Sequence, residues 1–249
     1  MRKVALALSL CSSAFLLNAA DTAAERLSDS AKVFSEIMAT PDKGIPQDLL
    51  EKAHCVVIVP GMKQAGFVVG AKFGKGYAVC RKAGGGWDAP AAMRVEGGSF
   101  GFQIGASSTD VVMLIMNERG MRRLLEDKFT LGAEATVAAG PVGRQSTAQT
   151  DAQLSAEILS WSRSKGLFAG IALQGATLRP DNDTNKELYG SGVTNKEILN
   201  GSVAVPAAAK PLIADLNRYS RHEAKDTPIE TRAKDTINDA DRSTTKKKK

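Results

Sequence analysis

The sequence predicts an α+β domain whose curved, largely antiparallel sheet has a barrel-like shape, with short flanking helices and an amphipathic helix in front of it. Three observations lead to this fold class. Short apolar runs rich in β-branched residues follow one another from residue 54 onward, glycines recur in them every fourth residue, and short capped helical segments lie on both sides. Since glycine in a strand permits close backbone approach and tight curvature, this spacing favours a strongly curved sheet.

The first 20 residues have the layout of a secretory signal peptide. Basic residues at positions 2 and 3 precede an apolar run over 4–17, and small residues follow at Ala19 and Ala20. The run is too short and too interrupted by serine for a membrane span. We therefore expect cleavage near Ala19 or Ala20 and an exported protein, periplasmic or secreted. Such a protein can associate peripherally with a membrane.

Residues 21–45 are predicted to hold an amphipathic helix and a linker. Leu27, Phe34 and Ile37 recur at helical spacing, with polar residues on the opposite side. Such a helix either packs on its own domain or docks on a membrane, where these three residues would be the inserting face. A second, short helix is predicted to begin at Pro46.

The strand region is predicted as successive short strands. CVVIVP, GFVVGAKF and GYAVC come first, and Gly74-Lys75-Gly76 reads as a hairpin turn between the last two. AAMRVEG, SFGFQIGA and TDVVMLIM follow, the last apolar enough to be buried on both faces. Alternation of side chains predicts a bare face and an apolar face toward the core in the stretch over 66–73. The bare face holds Gly66, Gly70 and Lys72, and the apolar face holds Phe67, Val69, Ala71 and Phe73.

Helix signals separate and follow the later strands. Asn117 can cap a helix in ERGMRRLLEDKF, and Thr184 and Thr194 each begin a capping box with a glutamate three residues on. PAAAKPLIADLNRYSRHEA can form one more helix. The segment 202–249 turns polar and lysine-rich, and we expect its end to be partly disordered.

Two cysteines, Cys55 and Cys80, remain once the leader with Cys11 is removed. In an oxidising compartment they can form a disulfide. The alternative is two buried thiols in strands, because free cysteine packs as a small hydrophobe. The sequence leaves both open.

The charge distribution points to an anionic partner. The net charge is +6, but the excess lies in the leader and in the tail, and the segment between them is balanced. Within that segment no acidic residue lies between Glu51 and Asp88. Such a basic window favours a lipid headgroup, or else is a solvated face that keeps strand edges from pairing. The candidate headgroup-binding residues are Lys63, Lys72, Lys75, Arg81 and Lys82.

Several chemistries are disfavoured. GGSFG matches the G-x-S-x-G nucleophile pattern at Ser99, but no helix signal follows it and the one downstream histidine, His222, lies in the polar tail. A hydrolase using Ser99 stays a weak alternative. No metal-ligand spacing, phosphate loop or cofactor motif is present, and nucleic acid is not expected as a partner because aromatics make up only 5% of the chain.

The motifs together resemble the SYLF domain. The likeness rests on AHCVVIVP, GFVVGAKFGKGYAVCR, GGWDAPAAM, GGSFGFQIGASSTDVVMLIMN, KFTLGAEATVAAGPVGR and SRSKGLFAGIAL followed by LYG, and it covers residues 46–201 in order. The resemblance implies binding of phosphoinositides and other anionic phospholipids. Some eukaryotic members also bind actin and carry an additional module that this chain lacks, and an exported protein would not meet actin.

The sequence therefore predicts a non-enzymatic binder of anionic phospholipids in the cell envelope, acting through the basic, glycine-rich β region and the amphipathic helix. The rival prediction is a structural or protein-interaction module of a bacterial envelope without specific lipid binding.

Overall fold

A computed structural model describes residues 21–41, 44–141, 155–164, 167–168 and 173–220, with backbone only at 67–69, 99–105 and 167–168. The predicted signal peptide and the end of the tail lie outside the described residues. The sheet in this part of the chain has seven strands, and all its pairings are antiparallel except that of β4 with β5. Helices pack around this curved sheet, so the predicted α+β fold class is confirmed.

Two long strands form the central part of the sheet. β1 (Cys55–Cys80) and β2 (Ala91–Ile115) pair antiparallel along their whole length, from Cys55 opposite Ile115 to Ala78 opposite Ala91. The register shifts between Val59 and Met62 and between Gly66 and Val68. Such irregularities bend a strand and increase its twist, and they let the two-stranded ribbon curl.

The ends of the curled ribbon meet. The disulfide between Cys55 and Cys80 joins the two ends of β1 with an S–S distance of 2.06 Å, and the Arg81 N–H donates to the His54 carbonyl at 2.9 Å. A Cβ on Gly76 would collide with the Ile58 carbonyl, which shows how closely the two halves of β1 approach. The prediction of a hairpin turn at Gly74-Lys75-Gly76 was therefore wrong, because these glycines permit strand crossing rather than a turn.

The remaining strands are short and extend the ribbon. They are β3 (Phe129–Thr130), β4 (Val137–Ala139), β5 (Ile158–Ser164), β6 (Leu167–Phe168) and β7 (Thr177–Pro180). β7 pairs with the first part of β2 and β5 pairs with its last part, giving the order β3-β7-β2-β5-β4. Between these two pairings, the free edge of β2 has no partner among the described residues.

The α-helices in the described ranges are α1 (Ala23–Met38), α2 (Gln47–Lys52), α3 (Glu118–Leu124), α4 (Asn182–Tyr189), α5 (Asn195–Leu199) and α6 (Lys210–Tyr219). The predicted caps at Asn117 and Thr194 are confirmed by hydrogen bonds to the N–H groups of Gly120 and Glu197. The capping box predicted at Thr184 was wrong, since α4 begins at Asn182. No helix in the described ranges is long and apolar enough to cross a membrane.

Each face of the sheet has its own hydrophobic core. The outer core lies under α1, α2 and α6 and includes Tyr77 and Val79, while the inner core lies inside the curl and includes Met62 and Ala78. Val111–Ile115 alternates between the two cores and is almost fully buried, as the sequence predicts. We call the two sides of the ribbon the outer and inner faces accordingly.

Candidate functional site

The middle of the β1–β2 ribbon forms an arm, which we define as residues 63–73 and 97–108. None of its described side chains belongs to either hydrophobic core. Ala65 and Ala71 are exposed, and a Cβ on Gly98 would find its nearest neighbour, a carbonyl oxygen of the arm itself, at 3.9 Å. The arm therefore lies outside the two hydrophobic cores, and Lys63 and Lys72 are its only charged residues.

The outer face of the arm is apolar and basic. Phe73 is 45% exposed and is the one large hydrophobic side chain that is exposed in the described part of the chain. Lys63 is also exposed, and its ammonium donates to the Ser108 hydroxyl at 3.0 Å. The prediction that Ala71 and Phe73 face the core was wrong, because the outer helices cover the ribbon only near its ends.

Lys72 points the other way. Its side chain lies on the inner face and the residue is only 6% exposed. Burial lowers the pKa of its ammonium, since removal from water disfavours the charged form. Lys72 is therefore not placed to meet a headgroup in this structure, and the bare face predicted for Gly66, Gly70 and Lys72 is the one that turns inward.

Lys75 is occupied by an internal ion pair. Its ammonium lies 2.7 Å from a carboxylate oxygen of Asp181, whose side chain is 1% exposed, and Thr184 donates to the same oxygen at 2.8 Å. Burial alone would raise the pKa of Asp181, but the hydrogen bonds from Lys75 and Thr184 outweigh it and hold that pKa below its usual value. Lys75 thus anchors β1 to the start of α4.

Arg81 is also a structural residue. Its guanidinium donates to the carbonyls of Ala53 and Leu50 at 2.9 and 2.8 Å and lies over the Trp87 ring at 4.2 Å. Burial lowers the pKa of this guanidinium. Of the five predicted headgroup residues, Lys63 and Lys82 are therefore the exposed ones, and they lie in different regions, on the arm and in the turn after β1.

The face of α1 predicted to insert into a membrane is buried. Leu27, Phe34 and Ile37 are each 0% exposed in the outer core, and Phe34 makes an edge-on ring contact with Tyr219 of α6. The N-terminus of α1 is held as well, since the Tyr77 hydroxyl donates to the Ala23 carbonyl at 2.7 Å. In this structure the apolar face of α1 packs on its own domain, which was the other prediction.

Two arginines at the base of the arm were not among the site residues predicted from the sequence. Arg94 and Arg179 lie directly opposite each other on β2 and β7, and Glu96 lies between them with its carboxylate 3.3 Å from Arg94 Nε and 3.0 Å from Arg179 Nη2. Glu96 is itself opposite Phe73 in the ribbon. Arg94 adjoins the acid-free window, but only the strand pairing brings the distant Arg179 to it.

The described residues offer little for catalysis. No group of three or more His, Cys, Asp or Glu side chains that could hold a metal ion occurs among them. Ser99 pairs with Gly70 in the middle of β2. A nucleophile elbow needs a sharp strand-to-helix turn, so the backbone at Ser99 does not provide one.

Comparison with known proteins connects the chain to one family. The family model Ysc84, described as "Las17-binding protein actin regulator", matches residues 96–219. The chain is 35% identical over 192 residues to protein YSC84 of Saccharomyces cerevisiae. The aligned region covers 74% of the chain and 41% of that protein. It is 35% identical over 195 residues to the SH3 domain-containing YSC84-like protein 1 of Xenopus laevis, covering 77% of the chain and 58% of that protein.

A third relative, the SH3 domain-containing protein PJ696.02 of Schizosaccharomyces pombe, is 39% identical over 176 residues, which cover 70% of the chain and 41% of that protein. The chain thus spans about half the length of the curated relatives it matches. Two of these names refer to an SH3 domain, the wording on actin regulation belongs to the family description, and none of them names a reaction.

Proposed function

The chain belongs to the SYLF (Ysc84) family, and on that premise we propose that it is a non-enzymatic protein that binds anionic phospholipids, with phosphoinositide-like headgroups as the preferred class. The observation that carries the proposal is the arm, which lies outside both cores, contains no acidic residue and exposes Phe73 and Lys63 on its outer face, while Glu96 opposite Phe73 is held by Arg94 and Arg179. An exposed aromatic and an exposed lysine on one face suit the interface of an anionic membrane, where the ring enters the headgroup layer and the ammonium meets phosphate.

The magnitudes indicate weak, salt-sensitive binding by one copy. Each of the exposed bases Lys63 and Lys82 adds about 1 kcal/mol near an anionic surface. Full burial of a Phe side chain contributes about 1.5–3 kcal/mol, and Phe73 is already half covered, so its gain is roughly 1 kcal/mol. Binding that rests on so few charges falls steeply as salt shortens the range of the attraction.

We also propose that the protein is exported and acts in the cell envelope. The support is the signal-peptide layout of residues 1–20, together with a capping box at Thr22 and Glu25 that begins α1 directly after it. The mass of the intact protein recovered from its native host tests this. A mass lacking the first 19 or 20 residues is expected, and an intact N-terminus would overturn the export proposal without touching lipid binding.

The alternative is a protein-interaction module, and one observation favours it. Across the arm, β1 and β2 pair only with each other among the described residues, so within that part of the chain each strand has one edge without a strand partner. Edge strands of this kind accept extended peptides from a partner. The actin and Las17 wording belongs to the family description, and an actin partner for this chain requires that actin be present in the same compartment.

Vesicle sedimentation separates the two functions. The protein is mixed with phosphatidylcholine vesicles with or without 20 mol% phosphatidylinositol 4-phosphate, at low and physiological salt. Three variants are compared with the wild type: Phe73→Ser, Lys63→Gln, and Lys32→Gln as a control with the same charge change on the exposed side of α1. A fourth protein carries glutamine at positions 246–249, which removes the terminal lysine run.

Lipid binding by the domain predicts that the Phe73 and Lys63 variants bind the anionic vesicles about three- to tenfold more weakly, while the control stays within twofold of the wild type. The protein with glutamine at 246–249 should retain most of its binding. Equal sedimentation with neutral and anionic vesicles, or loss of binding only with the terminal lysines, would reject lipid binding by the arm and leave the interaction module as the better proposal.

A further inference from the structure

A groove lies beside the base of the arm. It has a volume of about 890 Å³ and runs between the end of β7, the segment after α3 and the loop that joins α4 to α5. Small-molecule sites commonly have volumes of about 300–1,000 Å³, so this groove can hold a small ligand. Its walls are polar and carry charges of both signs, with the positive charges in excess.

The first wall holds two like charges in direct opposition. Arg94 and Arg179 face each other across the β2–β7 pairing, an arrangement that costs stability unless an anion lies nearby. Glu96 supplies one carboxylate to both guanidinium groups. One negative charge between two positive ones leaves the cluster with a net charge of about +1.

The second wall adds two lysines. Lys186 of α4 and Lys196 of α5 line the groove, both are exposed, and neither has an ion-pair partner within the described ranges. Glu126 and Asp127 also line it, but Glu126 is already bridged by Arg123 at 3.2 Å. The groove thus brings four cationic side chains to the edge of one volume, and within the described ranges Asp127 is its one lining carboxylate without an ion-pair partner.

Several hydrogen-bond donors on these walls lack acceptors. The Nε atoms of Arg94 and Arg179 and the Nδ2 atom of Asn195 are buried without a hydrogen-bond partner among the described residues. Arg94 Nε lies 3.3 Å from Glu96, but the contact lacks hydrogen-bond geometry. Because a buried donor without an acceptor costs free energy, a ligand rich in acceptor oxygens would stabilise this wall after a small shift of the side chains.

We propose that this groove is a binding site for a phosphate monoester or diphosphate group. Guanidinium pairs bind phosphate through two parallel hydrogen bonds each, and a dianionic group matches the excess positive charge better than a single carboxylate does. The site lies on the same outer face as Phe73, since Glu96 is the partner of Phe73 in the ribbon. If the phosphate belongs to a lipid headgroup, the inference rests on the proposed lipid binding. If it belongs to a soluble compound, the inference is independent of that proposal.

The experiment uses two probes and two kinds of variant. Pyrophosphate is titrated into ¹⁵N-labelled protein, and the side-chain Nε–H resonances of Arg94 and Arg179 are followed. The same proteins are then tested on phosphatidylcholine vesicles with 20 mol% phosphatidic acid. The variants are Arg179→Gln and the double variant Lys186→Gln/Lys196→Gln, which changes only exposed side chains and should fold normally. Arg122→Gln, on the exposed side of α3, is the matched control.

Pyrophosphate should shift both arginine Nε–H resonances, and the double lysine variant should bind it about tenfold more weakly, the equivalent of one lost charge-assisted hydrogen bond. The control should stay within twofold of the wild type. If the variants also weaken vesicle binding, the phosphate belongs to a lipid headgroup. If they weaken only pyrophosphate binding, the site takes a soluble phosphate compound. Absence of any arginine shift, or equal affinity in wild type and double variant, would overturn the site, whereas the Phe73 and Lys63 variants decide lipid binding separately.

Discussion

Replacing Lys75 with methionine should destabilise the fold, although the sequence placed this lysine among the headgroup ligands. The substitution keeps the aliphatic stem but leaves the Asp181 carboxylate, 1% exposed, without its cation. Removing one partner of a buried pair costs about 3–5 kcal/mol, and because the Lys75 side chain is 31% exposed we expect about 2–3 kcal/mol. For a domain of this size that corresponds to a fall in Tm of roughly 5–10 °C.

Urea unfolding with the disulfide intact measures this cost, and Lys63→Met is the matched control because the Lys63 ammonium is exposed. The double variant Lys75→Met/Asp181→Asn should recover at least half of the loss, since the buried charge is gone. If Lys75→Met is no more destabilising than Lys63→Met, or if the double variant shows simple additivity, the buried ion pair does not hold β1 to α4.

The pH dependence of the same variant follows from the pKa of Asp181. Its folded-state pKa is held below the usual value, so the ion pair stabilises the wild type at pH values above about 4 and this stability is lost as the pH falls through the folded-state pKa. The difference in unfolding free energy between the wild type and Lys75→Met should therefore shrink below about pH 4. A difference that stays constant from pH 7 to pH 3 would contradict this.

Two further predictions concern the closure of the ribbon. Gly76→Ala should lower the free energy of unfolding by about 3 kcal/mol, because the added methyl would overlap the Ile58 carbonyl. Gly98→Ala, the control, should change it by less than about 1 kcal/mol. Equal urea midpoints for the two variants would argue against the strand crossing. Reducing the disulfide of Cys55 and Cys80, which are 25 residues apart, should lower the free energy of unfolding by about 3 kcal/mol. Calorimetry with and without reductant measures this, with the double serine variant as the control. An unchanged Tm on reduction would show that the bond does not constrain the ribbon.

The helix caps predicted from the sequence were correct where they depend only on neighbouring residues. The cap at Asn117 and the box at Thr194 form because a side chain and an N–H group two or three residues away meet whatever the rest of the fold does. The box predicted at Thr184 was wrong because the helix begins earlier, and Glu187 instead accepts a hydrogen bond from the Ala23 N–H, far away in the chain. Tertiary contact overrode the local pattern there.

The candidate site depended much more on long-range placement. The acid-free basic window is a property of the sequence, yet its five bases have different surroundings. Lys72 is buried inside the curl, Lys75 is paired with a residue more than a hundred positions away, and Arg81 lies on Trp87. A charge count cannot separate an exposed lysine from an ion-paired one, because the partner comes from a distant part of the chain.

By itself the sequence determined the fold class, the position of α1 and the buried strand at the end of β2. All of these follow from residue size and periodicity. Only the tertiary structure decided that β1 crosses itself at Gly76, that the bare face turns inward, and that Arg94 and Arg179 meet at the base of the arm. The physical reason is that alternation divides a strand into two faces but does not say which face is covered. That choice depends on where the bends fall and on which distant helices pack against the sheet.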